Sequence, residues 1–318
     1  MATLKDITIC IPTINRSHYL KRALAYYSKV KFPGKILIGD ESDDEHKKIN
    51  RSTIEKCKSL DISYIHLPHT NKSNDAKMLY ALSFFVETPY VTFTGDDDFL
   101  VPSGAEQCIN FLEENKDFAA AHGGRLNFIL NNKQLVHLDK DEGYEWINEN
   151  AWERWLSYMH TGVATVSFIH RTENWKKQYA YTEKINCRYI GTELIICSVA
   201  AIQGKVKRLE NLSVVFQRET PNRLFSFRNH TLWDLMNSDE WATSANLFVQ
   251  EINKLLEEQG FKKEDEIKQE FWYHCLNILV HQFNNKDKEV ILPTEPIILD
   301  INKKDSFYPI YKLITGNK

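Results

Sequence analysis

Three adjacent carboxylates, Asp96, Asp97 and Asp98, stand inside the run YVTFTGDDDFLVP at residues 90–102. Side by side, they repel one another unless a cation or solvent lies between them. An all-oxygen cluster suits Mg²⁺ or Mn²⁺ better than zinc. A solvated acidic turn is the plain alternative, but the position directly after an apolar strand favours a metal site. A second acidic group, Asp40, Glu41, Asp43 and Asp44, follows KILIGD at residues 35–40. A carboxylate there can accept from a ribose hydroxyl or a base N–H, or can simply charge the N-terminus of the next helix. Pro12, Thr13, Ile14, Asn15 and Arg16 follow a first apolar run and add polar groups to the same edge.

These groups need a scaffold that brings strand ends together. DITICI (residues 6–11), KILIGD, ISYIHL (62–67) and YVTFTG (90–95) are short apolar runs. They alternate with helical patterns: Tyr19, Leu20, Ala23, Leu24, Tyr27 and Val30 behind an N-cap at Ser17, then Ile49, Ile54, Cys57 and Leu60, then Ala76, Leu79, Tyr80 and Ala81. Four such repeats predict an α/β fold with a parallel, doubly wound sheet. In such a sheet ligands sit beyond the carboxyl ends of the strands, where the three acidic and polar groups lie. Further strands are predicted at 118–122, 125–130, 163–169 and 212–217, with helices around Trp146, Trp152 and Trp155 and over 191–202. Past Thr231 two helical stretches are separated by Gly260, and the last residues read as irregular.

Several function classes are excluded. Neither G-x-G-x-x-G nor G-x-x-x-x-G-K-[ST] occurs, so an ordinary dehydrogenase or P-loop kinase is not expected. No G-x-S-x-G or H-E-x-x-H is present. Across 318 residues, 40 Lys+Arg against 43 Asp+Glu leave a charge of −3, which offers no footprint for nucleic acid. The six cysteines form no C-x-x-C pair and read as buried thiols of a reducing compartment. No secretion signal or spanning segment is recognisable, so a cytoplasmic protein is expected, with peripheral contact at the inner face of a membrane left open.

In order and interval, ITICIPTINR, ILIGDES and YVTFTGDDDFLVP resemble glycosyltransferase family two, over about residues 6–220. The resemblance implies a GT-A fold, with a Rossmann-like, mostly parallel central sheet flanked by helices. It also implies transfer of a sugar from a nucleotide-diphosphate donor, UDP by default, to a glycan or lipid-linked acceptor. By the same resemblance, Pro12, Thr13, Asn15, Arg16 and Asp40 hold the nucleoside side. Asp96, Asp97 and Asp98 hold Mn²⁺ or Mg²⁺ and the diphosphate, with the direct ligands among the three left open. The family's general base maps onto Gly191-Thr192-Glu193-Leu194, hence Glu193, although Thr192 replaces an acid usual there. Glu193 at a helix start would be a stabilised carboxylate able to take a proton from an attacking hydroxyl, in an inverting displacement. Arg218 and Arg223 fall in a segment resembling the one that closes on the donor diphosphate, and arginine suits a bidentate phosphate contact.

On this reading residues 1–230 are the catalytic domain, its nucleotide-sugar half about 1–102 and its acceptor half about 103–230, while 231–318 form a helical appendage. The tryptophans, Tyr158 and His160 either line an acceptor platform or belong to the core. The apolar weight of 231–285 must be buried, on the catalytic domain, on itself, on a second copy as a homodimer, or at a membrane. A metal-dependent phosphohydrolase is the rival enzyme, but its D-x-D-x-[TV] should follow the first strand, and Leu100 stands at the Thr/Val position. A scaffold without turnover would not be expected to keep acids at 40, 96–98 and 193.

Overall fold

The predicted alternation is realised in a computed structural model that describes residues 2–68, 74–141, 143–162, 164–218, 231–285 and 295–316. It begins with β1 (Ile7–Thr13), α1 (Ser17–Lys29), β2 (Lys35–Asp40), α2 (Asp44–Lys56), β3 (Asp61–His66), α3 (Asp75–Ser83) and β4 (Tyr90–Phe93). β1 pairs in parallel with β2 and β4, and β2 with β3. Side chains of a strand alternate between faces. Ile7, Ile9 and Ile11 therefore enter one core with Ile36 and Ile38, while Cys10 and Leu37 enter the core on the other side. Apolar residues on both faces explain why these strands read as continuous runs.

The second half continues with β5 (Phe99–Leu100), α4 (Pro102–Glu114), β6 (Phe118–Asn131), β7 (Gln134–Asp141), α5 (Ala151–Thr161), β8 (Ile169–Arg171), α6 (Thr172–Ala180), α7 (Ile195–Gln203) and β9 (Lys205–Gln217). The nine strands form one sheet in the order β3-β2-β1-β4-β8-β6-β9-β5, with β7 added on β6. This half is mixed: β8 runs antiparallel to β4 and β6, whereas β6 and β9 are parallel. The two strands predicted at 118–122 and 125–130 are one, its register against β9 shifting at Gly124. The strand expected over 163–169 shrinks to β8, and Val163 lies outside the described residues. Ser17 is the first residue of α1, and Arg16 holds the N-cap position. Trp146, Trp155 and Tyr158 are buried core residues and form no platform. His160 instead faces outward, against Glu270 at 2.9 Å. Of the six cysteines, five are buried and Cys57 is half-buried, all as free thiols.

The C-terminal helices are present: α8 (Leu232–Met236), α9 (Trp241–Glu257), α10 (Glu264–Asn285) and α11 (Tyr308–Thr315). They share cores with the rest of the chain. Leu232, Trp241, Phe248, Ile252 and Phe271 pack in one cluster with Trp155 and Ile196. The stretch predicted to be irregular forms α11, whose Phe307, Ile310, Tyr311 and Ile314 join the opposite core with α1 residues such as Leu20 and Tyr27. Ile297 N–H donates to the Leu135 carbonyl at 2.7 Å, tying this return segment to β7. The outer face of α10 stays exposed at Trp272, Tyr273, Leu276, Val280 and Phe283. Among the described residues, no helix is long and apolar enough to cross a membrane.

Candidate active site

Beyond the carboxyl ends of β1 and β4 lies a cavity of about 280 Å³. Asp96, Asp97 and Asp98 line it together with Pro12, Thr13 and Arg16. The acidic run is buried, and it is organised by donors from distant parts of the chain. Thr13 Oγ1 donates to Asp96 Oδ2 at 2.7 Å. Arg16 lies between two of the carboxylates, Nε 3.3 Å from Asp96 and Nη2 2.5 Å from Asp97. Arg22 Nη2 donates to the Asp97 carbonyl at 3.0 Å, and the Gln217 N–H donates to Asp98 Oδ1 at 2.9 Å. Gly95 allows the crowding: a Cβ there would stand 2.7 Å from Asp97 Oδ1 and 2.8 Å from Asp98 Oδ2. Burial pushes the Asp96 carboxyl up, against the pull of Arg16, with the Asp97 charge adding to the rise.

Two of the nucleoside-side residues have other work. Asp40 is fully buried and does not line this cavity. Its Oδ1 accepts from the Ser42 N–H at 2.7 Å, and its Oδ2 accepts from Asn50 Nδ2 at 2.7 Å and from the Tyr64 hydroxyl. These three bonds tie Asp40 to the turn after β2, to α2 and to β3. Asn15 adopts a left-handed backbone, φ 54°, which asparagine tolerates. Its N–H donates to Ser42 Oγ at 2.8 Å and its Oδ1 accepts from the Asp43 N–H at 2.9 Å, locking the turns after β1 and β2 together.

Glu193 lines the same cavity and is exposed to it. It stands in a π-helical turn, Ile190–Leu194, that leads into α7. Such turns recur at functional sites. Gly191 is required there, since a Cβ would fall 2.1 Å from the Ile185 carbonyl oxygen. Helical backbone already starts at residue 188, so Glu193 is not at a free helix N-terminus. Its carboxyl is raised above the ordinary value, first by the protein packed around it and then by the charge of Asp75, with Arg218 opposing. A raised carboxyl suits a proton acceptor. Arg218 also lines the cavity, its Nε donating to Asn127 Oδ1 at 2.9 Å and its N–H to the Phe128 carbonyl at 2.8 Å. Arg223 lies outside the described residues.

Two charged lining residues are not among those read from the sequence. Asp75 opens α3 behind the N-cap Asn74, and Arg125 lies in β6, paired with Asp141. For Arg125 a signal existed in the charge that follows Gly123-Gly124 inside an apolar strand. Asp75 reads as an ordinary first-turn acid.

Among the described residues, no group of three or more His, Cys, Asp or Glu side chains converges as a metal cage. Asp96 and Asp97 converge instead on Arg16. A cation here would be held by one or two carboxylates and completed by substrate phosphates, as suits Mg²⁺ or Mn²⁺, and not by an all-protein cage.

Comparison with known proteins bears on this geometry. A search of curated protein sequences matches none. Among solved structures, S. aureus TarS 1-349 superposes with a TM-score of 0.54 at 15% identity, covering 90% of this chain and 75% of that one. This likeness shows the fold. A longer S. aureus TarS structure aligns with a TM-score of 0.47 at 16% identity over 78% of this chain, which spans 43% of that one. The mannosyltransferase PcManGT from Pyrobaculum calidifontis, solved with GDP-Man and Mn²⁺, aligns with a TM-score of 0.47 at 10% identity, covering 89% of this chain and 88% of that one. The profile described as Glycosyl transferase family 2 matches residues 8–171, more than half of the chain and the part that carries β1, β2 and the acidic run. The chain thus belongs to glycosyl transferase family 2.

Proposed function

We propose that this glycosyltransferase is metal-assisted and inverting, moving a sugar from a UDP-linked donor to a hydroxyl of a glycan or lipid-linked acceptor. One observation carries the reading: the run Asp96–Asp98 and the carboxylate of Glu193 border one cavity, with Arg125 and Arg218 on its wall. Asp96, Asp97 and Asp98 are the residues that would hold the cation and, through it, the donor diphosphate. A divalent cation bound there supplies positive charge to the leaving diphosphate. Thr13 and Arg16 hold the carboxylates in place before the donor arrives. Arg218 and Arg125 give the cavity its positive side and offset charge on the departing phosphate.

Glu193 takes the acceptor hydroxyl proton as the acceptor oxygen forms its bond to the anomeric carbon. The anomeric C–O bond to phosphate breaks in the same displacement, and its electron pair leaves with the nucleoside diphosphate. A single displacement inverts the anomeric centre. The exposed apolar face of α10 supports the further expectation that the C-terminal helices carry a contact surface, for a second copy or for the membrane that presents the acceptor. Light scattering and vesicle co-sedimentation separate those two partners.

The test of the central reading is calorimetry of UDP with Mn²⁺ and with EDTA, joined to a panel of nucleotide sugars assayed for slow release of free nucleotide. Binding of UDP that needs Mn²⁺, and hydrolysis of at least one UDP-sugar, is expected. Equal affinity in EDTA would remove the metal from the reading, and release of nucleotide only from another base would remove UDP.

A further inference from the structure

A second cavity, of about 80 Å³, lies behind Glu193. It shares Asp75, Phe93, Val166 and Glu193 with the large one, so the two spaces meet at those four residues. We propose that this side cavity receives substituents of the sugar being transferred, and that Asp75 accepts hydrogen bonds from its hydroxyl or acylamino groups. The inference rests on the donor reading above and adds a substrate class to it.

The order of groups along the cavities supports the assignment. The carboxylates of Asp96–Asp98 and the guanidinium of Arg218 border the large cavity only, and Glu193 stands on the shared wall. A base must come within about 3 Å of the attacking oxygen, either directly or through one water. The anomeric carbon therefore belongs at the shared wall, with the diphosphate on one side of it. What extends beyond is sugar. The volume is that of about two to three water molecules, so substituents on one edge of the ring enter while the ring itself stays in the shared space.

The lining has the chemistry of a carbohydrate contact. Leu79, Phe93, Val166 and Ile196 offer an apolar wall to ring C–H groups, and Asp75 and Glu193 supply acceptors. Arg188 and Thr192 complete the polar side, with the Thr192 hydroxyl donating to the Arg188 carbonyl at 2.5 Å. Asp75 lines both cavities, as Glu193 does. Among the described lining residues two carboxylates stand against one guanidinium. Such a lining accepts neutral sugars and disfavours a uronate, whose carboxylate would meet Asp75 and Glu193.

The experiment is calorimetry in Mn²⁺ with UDP, UDP-glucose, UDP-galactose, UDP-N-acetylglucosamine and UDP-glucuronic acid, on wild type, Asp75→Asn and Asp75→Ser. In the wild type at least one neutral UDP-sugar should bind about 10-fold or more tighter than UDP, while UDP-glucuronic acid gains nothing over UDP. The readout is the ratio of UDP-sugar to UDP affinity, so a loss common to both ligands does not count. Either substitution should cut the neutral-sugar ratio at least 5-fold and raise the ratio for UDP-glucuronic acid. If no neutral sugar outbinds UDP, if uronate binds best, or if the ratios survive both substitutions, the subsite assignment is wrong. Failure of UDP itself to bind the wild type would instead bring down the donor reading beneath it.

Discussion

Arg16 offers the sharpest test of how the acidic run is held. Replacing it by Met keeps the length of the stem and removes the guanidinium that bridges Asp96 and Asp97. All three side chains are nearly inaccessible, with relative exposures of 11%, 3% and 6%. Breaking a buried pair in this way costs about 3–5 kcal/mol, because the remaining charge stays desolvated. For 318 residues, with an unfolding entropy of about 2.1 cal/mol/K per residue, that is a fall in melting temperature of roughly 4–7 °C. The pH dependence has a definite sign. Burial already holds Asp96 up, at about 7, against the pull of Arg16, and without the guanidinium it climbs further. A carboxyl raised in the folded state binds more protons there than in the unfolded chain, so stability falls as pH rises. The gap between wild type and Arg16→Met should be small near the unfolded-state value of about 4 and widen through pH 7 and above. Millimolar Mn²⁺ should narrow it at pH 8 by supplying the missing positive charge. Differential scanning calorimetry at pH 4.5, 6 and 8, with and without Mn²⁺, measures all of this. A gap under about 1 kcal/mol, the size of an exposed pair, or one equal at pH 4.5 and 8, would refute the buried bridge.

Five further outcomes are expected. Glu193→Gln should keep Mn²⁺-dependent UDP binding and slow transfer about 10²-fold or more, the range for loss of a general base; wild-type turnover would move the base elsewhere. Since Asp75 helps to raise the Glu193 carboxyl, Asp75→Asn should shift the acidic limb of kcat/KM to lower pH, and an unmoved limb would show that the two charges do not interact. Tyr189 donates to His274 Nε2 at 2.6 Å and His274 Nδ1 donates to the Met159 carbonyl at 2.7 Å, linking α10 to the residues just before the Glu193 turn. Tyr189→Phe should therefore cost about 1–3 kcal/mol in chemical denaturation, and no change in midpoint would sink the link. Ile310→Ala in α11, at a fully buried site, should cost about 2–5 kcal/mol, and a chain cut at Thr231 should lose soluble expression because it uncovers both cores; a soluble, fully active truncation would show residues 231–318 to be dispensable.

Much of the site was legible because its signals are local. Buried parallel strands are short apolar runs, and each ends where polar residues begin, so β1, β2 and the acidic run could be read within a few residues of their true positions. The resemblance then pointed to Glu193, which does border the cavity of the aspartates. Burial was less legible, because it depends on what packs from elsewhere. Asp40 lies at the strand end where a ligand contact was expected, yet Asn50 and Tyr64, 10 and 24 residues away, take up its oxygens. Arg16 was placed with the nucleoside-side groups from its position after β1, and 81 residues later it meets Asp97. The Glu193 carboxyl is raised first by the protein packed around it and then by the charge of Asp75, which comes from a different helix and lines the same cavity. The return of α11 onto the N-terminal core joins the two ends of the chain, and no local period could announce it. Sequence determined which groups stand at the strand ends. Tertiary structure alone decided which of them are consumed by the protein and which are left for a ligand, because desolvation and partner charge are set by long-range contacts.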